Sequence, residues 1–214
     1  MRPELLVLHY TGMDSTDAAL ARLCDPAFEV SAHYLISPQG HVVQMVAEDQ
    51  RAWHAGAGQW CGKDDINSRS IGIELANRGD GPFAHPQMTA LEGLMRQIMA
   101  RWHIAPVDVI AHSDMAPDRK EDPGARFDWR RLALQGLALW PDGLGQDRPL
   151  CDSLDAIGYP DATPEKRLQA FRLRFHPSGQ GPENTRDRRR AAAVADGVLA
   201  ARRQAAIGPC VTDE

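Results

Sequence analysis

No run of about 18 apolar residues occurs in this 214-residue chain, which excludes a membrane-spanning helix. Cysteine is sparse. Cys24, Cys61, Cys151 and Cys210 are far apart and form no CxxC pair, so neither a sulfur-bound zinc nor a dense disulfide framework is expected. No strong excess of positive charge is present: the net charge is -5, with 14 bases and 20 acids in residues 1–149 against 10 bases and 9 acids in residues 150–214. Neither part therefore reads as a nucleic-acid binder. The start, MRPELLVLHYTG, has a single Arg and no small-residue cleavage site, so it reads as a first strand and not as a secretion signal. The expected compartment is a reducing cytoplasm.

What the chain does contain is a mixture of strand and helix patterns. ELLVLHY is a buried-strand run, and the segment from Asp14 to Cys24 is a helix with Ser15 or Thr16 at its N-cap. AHYLIS (32–37) and HVVQMV (41–46) flank the turn PQG as a hairpin, and RAWHAG reads as a further short strand. SIGIELA (70–76) alternates, with Ile71, Ile73 and Leu75 on one face and Gly72, Glu74 and Ala76 on the other. Between Pro86 and His103 the apolar residues Met88, Leu91, Met95, Ile98 and Trp102 step by three and four, as in an amphipathic helix. VDVIAH follows as a strand and FDWRRLALQGLAL as a helix.

This order predicts an α/β architecture, a central mixed β-sheet flanked by helices, over residues 1–140. The Pro, Gly and Asp-rich segment WPDGLGQDRP reads as a linker, closing at about residue 150. Residues 151–214 then form a small three-helix module. One of its helices opens with Thr163 as N-cap and Pro164 at the first helical position, and carries Leu168, Phe171 and Phe175 as its apolar stripe. Another runs from about Thr185 to Arg203. A unit of roughly 60 residues is too small to stand alone without docking.

Chemistry concentrates at strand ends. His9 closes the first strand, and His112 closes VDVIAH in the same way; loops at strand ends are where sites collect. The loop after His112 holds four acids: Asp114, Asp118, Glu121 and Asp122. Pro123 biases Asp122 towards an extended backbone and Gly124 permits a sharp turn, so Asp122 is held as a metal ligand needs. In an extended stretch Lys120 and Asp122 share a side, and Glu121 faces away as the solvated acid. Asp114 and Asp118 lack this restraint and read as surface groups or as supports behind the ligands. Two imidazoles and a carboxylate, with a fourth position left for water, make a catalytic zinc site, one Zn2+ per chain.

Glu74 lies mid-strand in an apolar segment beside Gly72 and Ala76, where a carboxylate is costly unless paired or facing a wet cleft. It reads either as a salt-bridge partner or as a general base beside the metal. Lys120 is one of three lysines among 24 basic residues, and a compact ammonium suits a developing oxyanion. His33 and His41 lie in candidate strands, and His85 and His103 flank a helix; all four read as structural or exposed.

LHYTG, VSAHYLIS, RAWHAG, SIGIELAN, VIAHSD and RKEDPG, in this order, resemble the zinc-dependent N-acetylmuramoyl-L-alanine amidases of the amidase-2 family, relatives of the peptidoglycan recognition proteins. The resemblance covers about residues 4–140. It implies that His9, His112 and Asp122 bind zinc and that Glu74 and Lys120 are the catalytic pair. It also implies that peptidoglycan fragments or anhydro-muropeptides are the substrates. His54, at a strand end like His9, is a candidate to line the cleft and, with Tyr10 and Asn67, to contact the substrate. The reaction implied is hydrolysis of the amide between the lactoyl group of N-acetylmuramic acid and L-alanine. More loosely, LDAIGY and QAFRLRF resemble a peptidoglycan-binding helical module. A helical cap packed on the catalytic domain is the other reading of that tail. A recognition module that does not cut, and a phage-type endolysin, are the competing functions.

Overall fold

A computed structural model describes residues 1–207; Cys210 lies outside the described residues. Five strands form one mixed sheet in the order β3-β2-β4-β1-β5. These are β1 (Leu5–Tyr10), β2 (Tyr34–Ile36), β3 (Val42–Gln44), β4 (Ser70–Leu75) and β5 (Val109–Ala111). β1 pairs in parallel with β4 and with β5, β2 runs parallel to β4, and only the β2–β3 hairpin is antiparallel. A central parallel strand is covered on both faces, which is why LLVLHY is apolar almost throughout and does not alternate.

The two faces bury different helices. On one, Leu6, Leu8, Ile71, Ile73 and Leu75 pack against Met88, Leu91, Met95 and Ile98 of α2 (His85–Trp102), as the periodicity predicts. Trp129 and Leu132 of α4 (Trp129–Leu134) extend this layer. On the other face Leu5, Val7 and Ile110 share a core with three C-terminal helices, α5 (Leu150–Ile157), α6 (Pro164–Phe175) and α7 (Thr185–Ile207). Leu154, Phe171 and Val194 come from those three helices in turn. The three tail helices therefore dock on the sheet domain through a continuous apolar core. The helix α1 (Thr16–Cys24) covers Leu35 and Ala76 at the other end of this face, and its first turn is capped by Ser15, whose hydroxyl accepts from Ala18 N at 3.1 Å.

Three expectations change. RAWHAG is not a strand. Its backbone donors go to side chains: Trp53 N to Ser31 Oγ, and His54 N and Ala55 N to Asn67 Oδ1. Gly56 then takes a left-handed φ of 61° that no ladder accommodates. The strand in VDVIAH is confined to Val109–Ala111, because Pro106–Asp108 wind into a single 3-10 turn and His112 opens the short helix α3 (His112–Met115). The helix expected across FDWRRLALQGLAL stops at Leu134, since Gly136 adopts a φ of 69°.

Candidate active site

The parallel strands deliver their functional side chains at one edge, the carboxyl ends, where open α/β sheets bind ligands. In the β1–β4 register His9 lies opposite Glu74, and Val7 lies opposite Gly72. The sheet face that carries Ser70, Gly72 and Glu74 at i, i+2 and i+4 is thus small and polar beside His9. A cleft of about 440 Å3 opens there, lined by His9, Tyr10, His54, Glu74, His112, Lys120, Glu121 and Asp122, with Arg22 and Trp53 at its walls.

At its floor three donor atoms converge. His9 Nδ1 is 2.9 Å from His112 Nδ1, and each of these nitrogens is 3.0 Å from Asp122 Oδ2. All three residues are buried. Bond lengths of roughly 2.0–2.1 Å put the corners of a zinc tetrahedron roughly 3.3 Å apart, so the donors need only a small adjustment to hold such an ion. The donor chemistry fits too. His112 Nε2 is 2.9 Å from the carbonyl oxygen of Ala55, which can only accept; the ring proton belongs on Nε2 and leaves Nδ1 a bare lone pair aimed at the cluster. Burial first, then the neighbouring His112, pushes the His9 imidazole down to about 4, so it is neutral at physiological pH as a metal ligand must be. Lone pairs facing a carboxylate oxygen at this range repel one another unless a cation sits among them. His9, His112 and Asp122 thus form a His-His-Asp site able to hold a metal ion.

Glu74 stands beside this cluster with one carboxylate oxygen buried and without a hydrogen-bond partner. Burial first, then the charge of Asp122, raises its carboxyl to about 8, with Lys120 pulling the other way. No cation pairs with it in a salt bridge among the described residues. An unpaired carboxyl in a cleft, strongly shifted by burial and a neighbouring charge, has the character of an acid-base group. Lys120 lines the same cleft, half-buried.

The loop after His112 differs in detail from the expectation. Residues 117–119 and 122–123 form turns, with a cis peptide between Asp122 and Pro123, so the alternation of an extended chain does not apply. Glu121 is exposed, yet it lines the same cleft as Lys120 and Asp122 and accepts from Gln169 of α6 at 2.9 Å. Asp118 is exposed. Asp114 is not a surface group: it is fully buried, accepting from Ala111 N at 2.9 Å, from Tyr159 Oη at 2.6 Å and from Arg174 at 2.7 Å. The acid is a support under the turn that carries His112, tied to the tail helices. His33 is a buried structural residue: its Nδ1 accepts from Gly72 N at 3.0 Å.

Some contributors have no signal that reading for chemistry picks up. The carbonyl of Ala55 belongs to a residue whose side chain is only a methyl. Arg119, whose guanidinium donates to the carbonyls of Ala55 and Ala57, reads as one more exposed base. Ser70 was detectable in principle, since the alternation that puts Glu74 on the cleft face puts Ser70 there as well.

Comparison with known proteins now bears on this geometry. Residues 1–125 match the family model described as N-acetylmuramoyl-L-alanine amidase. The chain belongs to that family. Among curated relatives it is 39% identical over 213 residues to the N-acetylmuramoyl-L-alanine amidase AmiD of Escherichia coli, covering 83% of this chain and 76% of the relative. It is 36% identical over 149 residues to the 1,6-anhydro-N-acetylmuramyl-L-alanine amidase AmpD of the same organism, covering 62% of this chain and 81% of that one. Among solved structures, AmiD in complex with its substrate anhydro-N-acetylmuramic acid-L-Ala-D-gamma-Glu-L-Lys superposes with a TM-score of 0.81 at 35% identity, over 94% of this chain and 90% of that one. AmpDh3 of Pseudomonas aeruginosa, in complex with anhydromuramic pentapeptide, gives 0.82 at 29% identity over 92% of each chain. The likeness to these amidases extends through the tail helices, beyond the segment that the family model matches. The chain is thus an amide hydrolase of the N-acetylmuramoyl-L-alanine amidase type, built on a mixed sheet flanked by helices.

Proposed function

We propose that this amidase hydrolyses the amide between the lactoyl carbonyl of N-acetylmuramic acid, in its 1,6-anhydro form, and the L-alanine of the stem peptide, with a single zinc ion held by His9, His112 and Asp122. The observation that carries this reading is the convergence of three buried donors, 2.9–3.0 Å apart, beside an unpartnered carboxylate oxygen of Glu74. The anhydro substrate is favoured by the ligands named for AmiD and AmpDh3.

When bound, zinc supplies Lewis-acid polarisation of the scissile carbonyl and acidifies water to a pKa of about 7. The charge of a bound zinc would favour the ionised form of Glu74 against the burial that raises its carboxyl, and this carboxylate takes the proton of the attacking water as the water oxygen bonds to the carbonyl carbon. The Lys120 ammonium donates to the oxyanion that develops there. When the carbon–nitrogen bond breaks, Glu74 returns its proton to the leaving alanine amine, so that one carboxyl acts first as base and then as acid. Trp53 and Arg22, on the cleft walls, offer an apolar surface and a cation to a substrate that has a sugar ring and peptide carboxylates.

For the tail, the core it shares with Leu5, Val7 and Ile110 supports the helical cap over a separately tethered wall-binding module. The test of function is turnover of purified anhydro-muramoyl tripeptide beside turnover of intact sacculi. Release of free tripeptide from the former, faster than from the latter, is expected; cleavage of sacculi alone would overturn the anhydro assignment, and cleavage of neither would overturn the reading.

A further inference from the structure

Both metal-facing imidazoles are governed by one dipeptide. The Ser70 hydroxyl has a single proton, and it goes to the carbonyl oxygen of Ile66 at 2.6 Å. Its oxygen must therefore accept from His54 Nε2, 3.2 Å away. That leaves His54 Nδ1 as a lone pair, 3.0 Å from His9 Nε2, so His9 donates from Nε2 and its Nδ1 is bare. The next residue, Ala55, provides the carbonyl that holds the Nε2 proton of His112 at 2.9 Å. The dipeptide itself is pinned: Asn67 Oδ1 accepts from His54 N at 3.1 Å and from Ala55 N at 2.8 Å. Gly72 completes the seat, because a Cβ there would lie 2.3 Å from the His54 ring.

We infer that His54 and Ala55, locked by Asn67 and Ser70, form a positioning layer that fixes both His9 and His112 in the Nε2-protonated tautomer and so presents both Nδ1 lone pairs to the metal. His54 and Asn67 then act on the metal ligands, not on the substrate. Both ring nitrogens of His54 are engaged by protein, and the side-chain oxygen of Asn67 is used by two backbone donors. Partners of this kind behind a metal ligand typically govern affinity by about 10- to 100-fold.

The inference rests on the metal reading above, and one experiment separates the two. Zinc affinity is measured on the full chain by competition with a chromophoric chelator, for the native protein and for His54→Leu and His54→Asn. Leu fills much of the ring's space without an acceptor; Asn places an amide oxygen near the position of the lost Nδ1. Expected is a loss of about 10- to 100-fold for His54→Leu and recovery of most of it in His54→Asn. Nitrogen-15 spectra of the metal-free native protein should show His9 protonated at Nε2, and this signature should be lost in His54→Leu. Zinc binding within about threefold of native in a folded His54→Leu, equal losses in both variants, or an Nδ1-protonated His9 in the native protein would each overturn the inference. Failure of the native protein to bind zinc would instead overturn the function. Should His54→Leu not fold, Ser70→Ala replaces it: removing the acceptor of His54 Nε2 frees the His54 tautomer, and weaker zinc binding with an altered His9 signature is expected. An unchanged affinity and spectrum there would count against the layer.

Discussion

In the proposed mechanism Glu74 is the residue on which the chemistry turns. Its partner across the strand pairing is His9, one of its carboxylate oxygens is buried without a donor, and its carboxyl is raised to about 8 by burial and by Asp122. Replacing it by Gln keeps shape and removes the base. Glu74→Gln should bind zinc as the native protein does and lose at least about 10²-fold in turnover, the lower end of what general acid-base help contributes. Near-native turnover with zinc in place would remove Glu74 from the mechanism. At this scale the sequence was informative where a side chain itself belongs to the candidate site. His9 and His112 stand out at strand ends, Asp122 is marked by the Pro that follows it, and Glu74 by its position in an apolar strand. Asp114 was ambiguous because its neighbours in sequence show no restraint. The residues that bury it, Tyr159 and Arg174, lie in another part of the chain.

Between elements, two buried carboxylates join parts that the sequence leaves unconnected. Asp114, under the His112 turn, meets Arg174 of α6, whose guanidinium also lies over the Trp129 ring of α4 at 4.1 Å. Asp114→Ala would strand a buried Arg and deprive Ala111 N of its acceptor, at a cost of about 3–5 kcal/mol. Denaturant unfolding of the metal-free variant measures this, and a loss below about 1 kcal/mol would contradict the tie. Glu48 connects the loop after β3 to the end of α2. Burial alone would raise its carboxyl, but hydrogen bonds from Arg101, Tyr34 and Trp102 outweigh that and hold it below the ordinary glutamate range. A folded-state value below the unfolded one gives stability that is present above the unfolded pKa and is lost as pH falls through the folded value. The native protein should therefore lose its advantage over Glu48→Gln on acidification below about pH 4, and a stability gap independent of pH would contradict this. Elements were legible where their periodicity was clean, as in β4 and α2. RAWHAG was misread because apolar pattern does not reveal that its backbone donors go to Ser31 and Asn67.

For the molecule as a whole, the tail is the part that sequence could place least. The stripe of Leu168, Phe171 and Phe175 predicts burial, but nothing in it specifies the surface that is met. That surface is the face of the sheet carrying Leu5, Val7 and Ile110, continuous with the core of the three helices. Truncation after residue 149 should thus expose apolar surface and lower the melting temperature by several degrees or leave the protein insoluble. A truncated chain that melts as the full one does and only binds sacculi less well would restore the tethered-module reading. The central claim, zinc-dependent hydrolysis at His9, His112 and Asp122, is tested most directly by returning zinc stepwise to chelator-stripped protein while following release of tripeptide from anhydro-muramoyl tripeptide. Turnover should rise in proportion to bound zinc and level off at one ion per chain. Full turnover in the stripped protein, or one bound zinc with no turnover, would contradict it.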